Sequence, residues 1–207
     1  MKRKADVAGR RRLLCDVAIE ILALEGGRGL SHRKVEQRAG LPDGTTSSYF
    51  RTRSALLRAT AERVAELDAA DFVAVTGQAA GSGATLAMLA DMVMQSATGP
   101  ALDRSRARYE LALHSQRDDV LRGAFTEAIA GFVALSEQAV TSEQPEGAMA
   151  PELIEEQARV VTTFINGVMV RQILGDNPVG SAEELTHLLH ALIAGIAASH
   201  HLRAVQP

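Results

Sequence analysis

The chain has 207 residues, of which 46% are hydrophobic but only 3% are aromatic, and it contains one Cys and no Trp. This length allows one medium domain or two small ones, and a single cysteine excludes an internal disulfide framework. Residues 1–60 hold 13 Lys and Arg against 6 Asp and Glu, whereas residues 61–207 hold 9 against 19. The basic start favours a polyanionic partner at that end, although charge alone leaves an ordinary solvated bias equally open.

Neither a secretory leader nor a membrane span is expected from the sequence. Residues 1–12 are basic and are not followed by an apolar run of the right kind. The longest uncharged stretch, residues 72–90, is interrupted by several Gly and Ser residues, so it is too polar for a membrane helix. We therefore expect a cytoplasmic protein.

Apolar residues at helical spacing predict an all-α fold of about nine helices. The first predicted helix covers roughly residues 9–25 and stops at the Gly26-Gly27 pair. Ser31 is a good N-cap for a short second helix. Gly40 follows that helix where a left-handed C-cap is favoured, and Leu41 supplies the apolar contact that usually accompanies one.

The remaining elements follow from similar signals. Pro42-Asp43 predicts the start of a third helix that ends near Ser48, and Thr52 can cap a longer fourth helix. Ser181 and Glu184 form a capping-box pattern before the last helix. Helices five to nine are predicted over roughly residues 84–97, 102–114, 118–140, 151–174 and 181–201, with loops at 76–83 and 141–150.

Residues 30–57, LSHRKVEQRAGLPDGTTSSYFRTRSALL, contain two short helices joined by a tight Gly-containing turn and followed by a long helix. This is the layout of a helix-turn-helix, whose second short helix can lie in the major groove of DNA. Arg33 can donate two hydrogen bonds to guanine. Tyr49, Arg51 and Arg53 are suited to phosphate oxygens. The segment therefore predicts a DNA-binding surface.

The same segment resembles the TetR family of one-component bacterial transcriptional regulators. AGLPDGTTSSYF followed by RTRSALL is similar to the family pattern aGvs.gtlYyyF..Ke.Ll, and the likeness extends over roughly residues 10–65. Two positions depart from the pattern: Ser47 replaces a common Tyr, and Pro42 stands where a capping Ser or Thr is usual, which could shift capping to Asp43. The resemblance implies DNA contacts from His32, Arg33, Asp43, Thr45, Thr46, Ser47, Ser48, Tyr49 and Arg53.

The resemblance also implies a three-helix DNA-binding head and a larger helical body. We expect the head over residues 1–55 and an effector-binding and dimerisation domain over residues 56–207. The last two helices are apolar over more than one stripe, which favours a homodimer on a palindromic operator. A repressor of this kind is released by a small molecule, and the Met-rich and aromatic middle helices favour an apolar or amphipathic one. The residues expected to line its pocket are Met88, Met92, Tyr109, His114, Phe125 and Phe132.

Other functions remain open alternatives at this point. The chain could be an activator or an effector-independent DNA-binding protein, or a helical enzyme with a basic end, which turnover without DNA binding would reveal. We find no convincing catalytic set, and His187 and His190 are too few for a metal site. We therefore expect no enzyme activity, no metal and no cofactor.

Overall fold

The computed structural model describes the backbone of residues 2–77, 84–143 and 150–205, and the side chains of residues 7–74, 84–143 and 150–201. The described residues form nine α-helices and no strand, which confirms the predicted all-α class. In chain order these are α1 (Lys2–Gly29), α2 (His32–Ala39), α3 (Thr45–Tyr49), α4 (Arg53–Gly77), α5 (Leu86–Gln95), α6 (Gly99–Ser115), α7 (Asp119–Ser142), α8 (Pro151–Ile173) and α9 (Ala182–Val205). No helix of the described residues is both long and apolar enough to cross a membrane.

The chain divides into two compact units, and the first consists of Met1–Ala70 and Gly99–Glu127. In it, α1 packs against α2 and α6, and α2 packs against α3. The core is apolar and includes Leu14, Ile21, Leu22, Val35, Phe50, Leu56, Leu57, Leu111 and Leu121. The helix pair α2–α3 is therefore supported by a unit that also contains α6 and the start of α7. The assignment of DNA binding to residues 1–55 concerns function and stays a prediction.

The second unit consists of Asp71–Thr98 and Ala128–Pro207. Within it, α9 packs against both α5 and α8. Its core includes Leu86, Leu89, Val93, Leu135, Val140, Val161, Ile165, Val168, Leu185, Leu189 and Ile193. Few polar groups enter this core. Two of them are hydrogen-bonded to each other: Thr162 Oγ1 donates to Ser136 Oγ at 3.0 Å.

Several helix ends lie where the sequence predicts them. Ser31 caps α2 by accepting a hydrogen bond from the backbone N–H of Lys34. Gly40 ends the helix with φ 65°, and the N–H of Leu41 donates to the carbonyl of Glu36 at 2.9 Å. Together with a bond from the Gly40 N–H to the carbonyl of Gln37, this is the hydrogen-bond pattern of a Schellman motif.

Other predicted ends need correction. The first helix begins at Lys2 rather than near residue 9, and it runs to Gly29 around a break at Gly26, whose φ is 66°. Helix α4 extends to Gly77, so the predicted loop at 76–83 begins later than expected. The rest of that loop and residues 144–149 of the second predicted loop lie outside the described residues.

The capping box of the last helix is present. The hydroxyl of Ser181 accepts from the N–H of Glu184 at 3.1 Å, and the carboxylate of Glu184 accepts from the N–H of Gly180 at 2.8 Å. The two bonds satisfy backbone donors that would otherwise lack partners at the start of α9.

Candidate nucleic-acid interface

The short helix α3 begins at Thr45, two residues after the predicted start at Pro42-Asp43. The three residues before it form a turn in which the N–H of Thr45 donates to the carbonyl of Pro42 at 3.2 Å. Gly44 in this turn has φ 83°, a conformation that strains residues with a Cβ. No side chain at the N-cap position closes the helix. The expectation that capping shifts to Asp43 is therefore wrong.

The start of α3 is instead held by a carboxylate from α2. Glu36 is 3% exposed, and its Oε1 accepts a hydrogen bond from the backbone N–H of Thr46 at 2.7 Å. The backbone carbonyl of the same residue accepts from Leu41, so Glu36 fixes both the end of α2 and the start of α3. Sequence reasoning missed this residue because its partner lies ten positions away, beyond the reach of local capping rules.

Four of the predicted DNA contacts are exposed on α2, on α3 or in the turn between them: Arg33, Asp43, Ser47 and Ser48. Arg33 makes no hydrogen bond or ion pair within the described residues, so its guanidinium is available to a ligand. Ser48 Oγ donates to the carbonyl of Thr45 at 2.6 Å. Short side chains on α3 allow its backbone to approach a base edge closely.

The other predicted contacts are engaged within the chain. The half-buried His32 donates from Nε2 to the carbonyl of Phe50 at 2.7 Å. Thr45 is also half-buried and donates to the carbonyl of Pro42. Thr46 is fully buried, with a relative exposure of 0%, and therefore cannot reach a base. We remove Thr46 from the candidate contacts; its side chain faces the core because it lies on the inner side of a helix of only five residues.

Tyr49 and Arg53 flank the segment and bind it to the core. Tyr49 is half-buried against the apolar cluster of the first unit. Arg53 donates from Nε to the carbonyl of Leu30 at 3.1 Å and from Nη2 to the carbonyl of Gly27. Arg53 therefore fixes the link between α1 and α2, so its substitution should affect the fold as well as any DNA contact.

Gly27, at the break of α1, also contacts α6. Its N–H donates to the carboxylate of Glu110 at 2.8 Å. A Cβ at this position would clash with the imidazole of His114, so any other residue here requires that side chain to move. Gly27 is therefore bound both by Glu110 of α6 and by Arg53 of α4.

A second polar contact joins the link between α6 and α7 to the start of α4. The carboxylate of Asp118 accepts from the hydroxyl of Ser54 at 2.7 Å, from the backbone N–H of Leu121 and from the guanidinium of Arg58. These bonds, led by the one from Ser54, lower the pKa of Asp118 from 3.8 to about 2. Asp118 is therefore ionised at any pH at which the protein functions.

The six predicted effector residues are divided between the two units. Tyr109, His114 and Phe125 lie in the first unit, whereas Met88, Met92 and Phe132 lie in the second. All six are half-buried. Burial raises the pKa of Tyr109, so its phenol stays neutral at ordinary pH. The assignment of these residues to a pocket stays a prediction.

The match to known proteins agrees with this architecture. Residues 80–195 match the tetracyclin repressor-like C-terminal domain. Because the match covers more than half of the chain and accompanies a helix-turn-helix, the chain belongs to the TetR family of transcriptional regulators.

Solved structures share the fold. The multidrug binding protein EbrR complexed with ethidium is 26% identical, with a TM-score of 0.65 over 88% of this chain and 98% of that chain. A TetR family member from Streptomyces coelicolor A3 is 25% identical, with a TM-score of 0.68 over 88% and 97%. A transcriptional regulator from Rhodococcus sp. Rha1 is 18% identical, with a TM-score of 0.71 over 91% and 96%. No curated protein sequence matches the chain significantly.

Proposed function

We propose that the protein is a dimeric repressor that binds a palindromic operator through α2 and α3 and leaves it when an amphipathic small molecule binds. The observation that carries the proposal is the exposed polar surface formed by Arg33 of α2 and by Ser47 and Ser48 of the recognition helix α3, which Glu36 holds in place. Arg33 recognises guanine, and the serines allow close approach to the bases. The tetracyclin repressor-like body supports repression over activation.

Dimerisation through α8 and α9 is supported by the division of their apolar residues. One group is buried in the chain's own core: Val161, Val168, Leu185, Leu189 and Ile193. A second group is only half-buried: Leu153, Val160, Phe164, Leu192 and Ile196, of which Phe164 and Leu192 also pack against that core. An apolar stripe that its own unit covers only in part is typical of a subunit interface.

An open groove of about 360 Å³ lies between these two helices, lined by Glu156 of α8 and by Leu192, Gly195, Ile196 and Ser199 of α9. Gly167 and Gly195 are both exposed and would allow a helix of a second copy to approach closely. We therefore assign the groove to the subunit interface rather than to the effector.

The charges near α6 favour an uncharged or cationic effector over an anionic one. Arg108 donates to both carboxylate oxygens of Asp68, at 3.0 and 2.7 Å, and Arg104 Nε lies 2.8 Å from the same carboxylate. Arg106 is 3.5 Å from Asp103. These arginines are thus already paired with acidic groups. EbrR, whose solved structures include complexes with ethidium and malachite green, binds cations of this amphipathic kind.

The experiment that tests the proposal combines a measurement of molecular mass in solution with an assay of release from DNA. Light scattering at micromolar concentration should give twice the mass of one chain, and malachite green should displace a labelled high-affinity duplex. An unrelated helix-turn-helix protein on its own site serves as the control for dye that acts on DNA alone. A monomer would contradict the dimer. Specific DNA binding that no amphipathic compound weakens would indicate an effector-independent DNA-binding protein.

A further inference from the structure

Two buried glutamines lie on the inner stripe of α8, and their amide groups differ in how they are satisfied. Gln157 is fully buried, and its Nε2 donates to the carbonyl of Ile193 in α9 at 2.8 Å. Gln172 is 4% exposed, and its Nε2 reaches only the thioether sulfur of Met94 in α5, at 3.8 Å. The amide oxygens of both glutamines have no hydrogen-bond partner among the described residues.

Gln172 therefore carries an amide that the folded chain leaves almost unused. A thioether is a weak acceptor, and a buried carbonyl oxygen without a donor is unfavourable compared with the same group in water. The neighbours along the stripe, Val168 and Ile165, are apolar and buried, so a Leu or Met would fill the position without that cost. Most buried side-chain polar atoms have at least one hydrogen-bond partner, so an amide oxygen that the chain leaves without a donor is open to one from outside it.

The neighbour of Gln172, Met94, has a side chain that can move aside. Its side chain is half-buried at the end of α5, two residues after Met92, one of the predicted effector residues. Methionine is unbranched and flexible, so it can vacate space for a ligand at low cost. The thioether of Met94 contacts Nε2 of Gln172, the donor end of the amide. The acceptor, Oε1, is left for an incoming N–H group.

We propose that Gln172 is the polar anchor of the effector site, in which its Oε1 accepts a hydrogen bond from an N–H donor on an otherwise apolar, aromatic or aliphatic amine. This inference rests on the proposed function, because it names the chemistry that the effector presents. The body of the ligand takes the space that Met94 vacates, and its N–H group supplies the missing donor at Gln172. A ligand that lacks N–H groups gains nothing from this residue.

Two dyes separate hydrogen bonding from simple fit. Ethidium carries aromatic amino groups with N–H donors, whereas the amines of malachite green are fully methylated and cannot donate. The measurement is the Kd of each dye for the DNA-free, full-length protein by fluorescence, for the wild type, Gln172→Met and Gln157→Met. A thermal melt of each variant verifies folding, and Gln172→Leu serves as the second variant if Gln172→Met does not fold.

Gln172→Met should raise the ethidium Kd about tenfold, the effect of one neutral hydrogen bond in a buried site, and leave the malachite green Kd within about twofold. Gln157→Met should change neither Kd by more than about twofold. Its amide oxygen is also without a donor, but Gln157 lies 15 positions before Gln172 on α8, about 22 Å along the helix, and its Nε2 binds the carbonyl of Ile193 in α9. Equal losses for both dyes would indicate a change of shape, and an unchanged ethidium Kd would indicate that the amide holds only water. Either result overturns the inference, as does a wild type that does not bind ethidium. Binding of the wild type to its selected duplex tests the proposed function separately.

Discussion

Substitution of Glu36 by Ala tests how the recognition helix is held. The change removes a charge-assisted hydrogen bond to the N–H of Thr46 and leaves that donor buried. Bonds of this class contribute about 1.5–3 kcal/mol. For a chain of this length, that loss lowers Tm by roughly 3–12 °C. Because α3 has no side-chain cap of its own, part of the same free energy is lost from operator binding, about ten- to a hundredfold in Kd.

The sign of the effect on DNA binding separates this explanation from simple electrostatics. Removing an acidic residue from the DNA-binding head should tighten binding to a polyanion if only charge matters. Glu25→Ala removes the same charge from a more exposed position, where Glu25 pairs with Lys34 and Arg38. We expect a stability change below about 1 kcal/mol for that control, since surface ion pairs contribute little. Glu36→Gln keeps an acceptor and should give an intermediate result.

Operator affinity by fluorescence anisotropy, with a thermal melt of each variant, provides the measurement. Glu36→Ala should bind DNA more weakly than the wild type, whereas Glu25→Ala should bind as well or better. If the two variants have the same stability and the same affinity, the carboxylate of Glu36 does not position α3, and the reasoning is refuted.

Three further predictions concern the first unit. Arg33→Ala should weaken binding to the best operator by about 1–3 kcal/mol of free energy and relax the preference at one base position. A panel of single-base operator variants measures this preference. If the variant keeps it in full, the wrong face of α2 was chosen. Arg53→Ala should lower the free energy of unfolding by about 1–2 kcal/mol, because two backbone carbonyls lose a donor, and should flatten the salt dependence by about one unit of slope per half-site. A salt slope equal to that of the wild type would remove Arg53 from the phosphate contacts. The ionised Asp118 stabilises the fold at pH values above its ordinary pKa of 3.8, and that stability is lost as the pH falls towards 2. Asp118→Asn should therefore have a lower Tm than the wild type at pH 7 and approach the wild-type Tm near pH 2. Plots of Tm against pH that run parallel for the two proteins would exclude this role.

The parts of the fold that the sequence predicts well depend on local rules. Ser31 and Gly40 bound α2 as expected because an N-cap hydroxyl and a left-handed glycine act on backbone groups within a few residues. Ser181 and Glu184 begin α9 for the same reason. Long helices with clear apolar spacing, such as α7 and α8, have ends within about two residues of their predicted positions.

The errors occur where a distant residue replaces a local signal. Asp43 is a reasonable cap by sequence, yet the start of α3 is closed by Glu36 from the preceding helix. The resemblance implied a DNA contact from Thr46, but its side chain is buried, and five residues of helix are too few for periodicity to show which side faces inward. The assignment of Arg53 to phosphate stays a prediction, but its bonds to the carbonyls of Gly27 and Leu30 could not be predicted, because they are set by the fold rather than by any pattern nearby.

Gln172 illustrates a different limit. Its place on the apolar stripe of α8 is visible in the sequence, but the partners of its amide depend on which helices pack around it. Only the three-dimensional arrangement shows that Nε2 of Gln157 binds the carbonyl of Ile193, whereas Nε2 of Gln172 reaches only the thioether of Met94.

The most direct test of the central claim is selection of bound sequences from a random duplex library by the full-length protein. A dimeric regulator with one recognition helix in each of two successive major grooves should enrich an inverted repeat whose half-sites are about 34–36 Å apart, one turn of DNA. Arg33→Ala used in the same selection should lose one conserved base from each half-site. A library that shows no enrichment, or a single unrepeated motif, would contradict sequence-specific binding by a symmetric dimer.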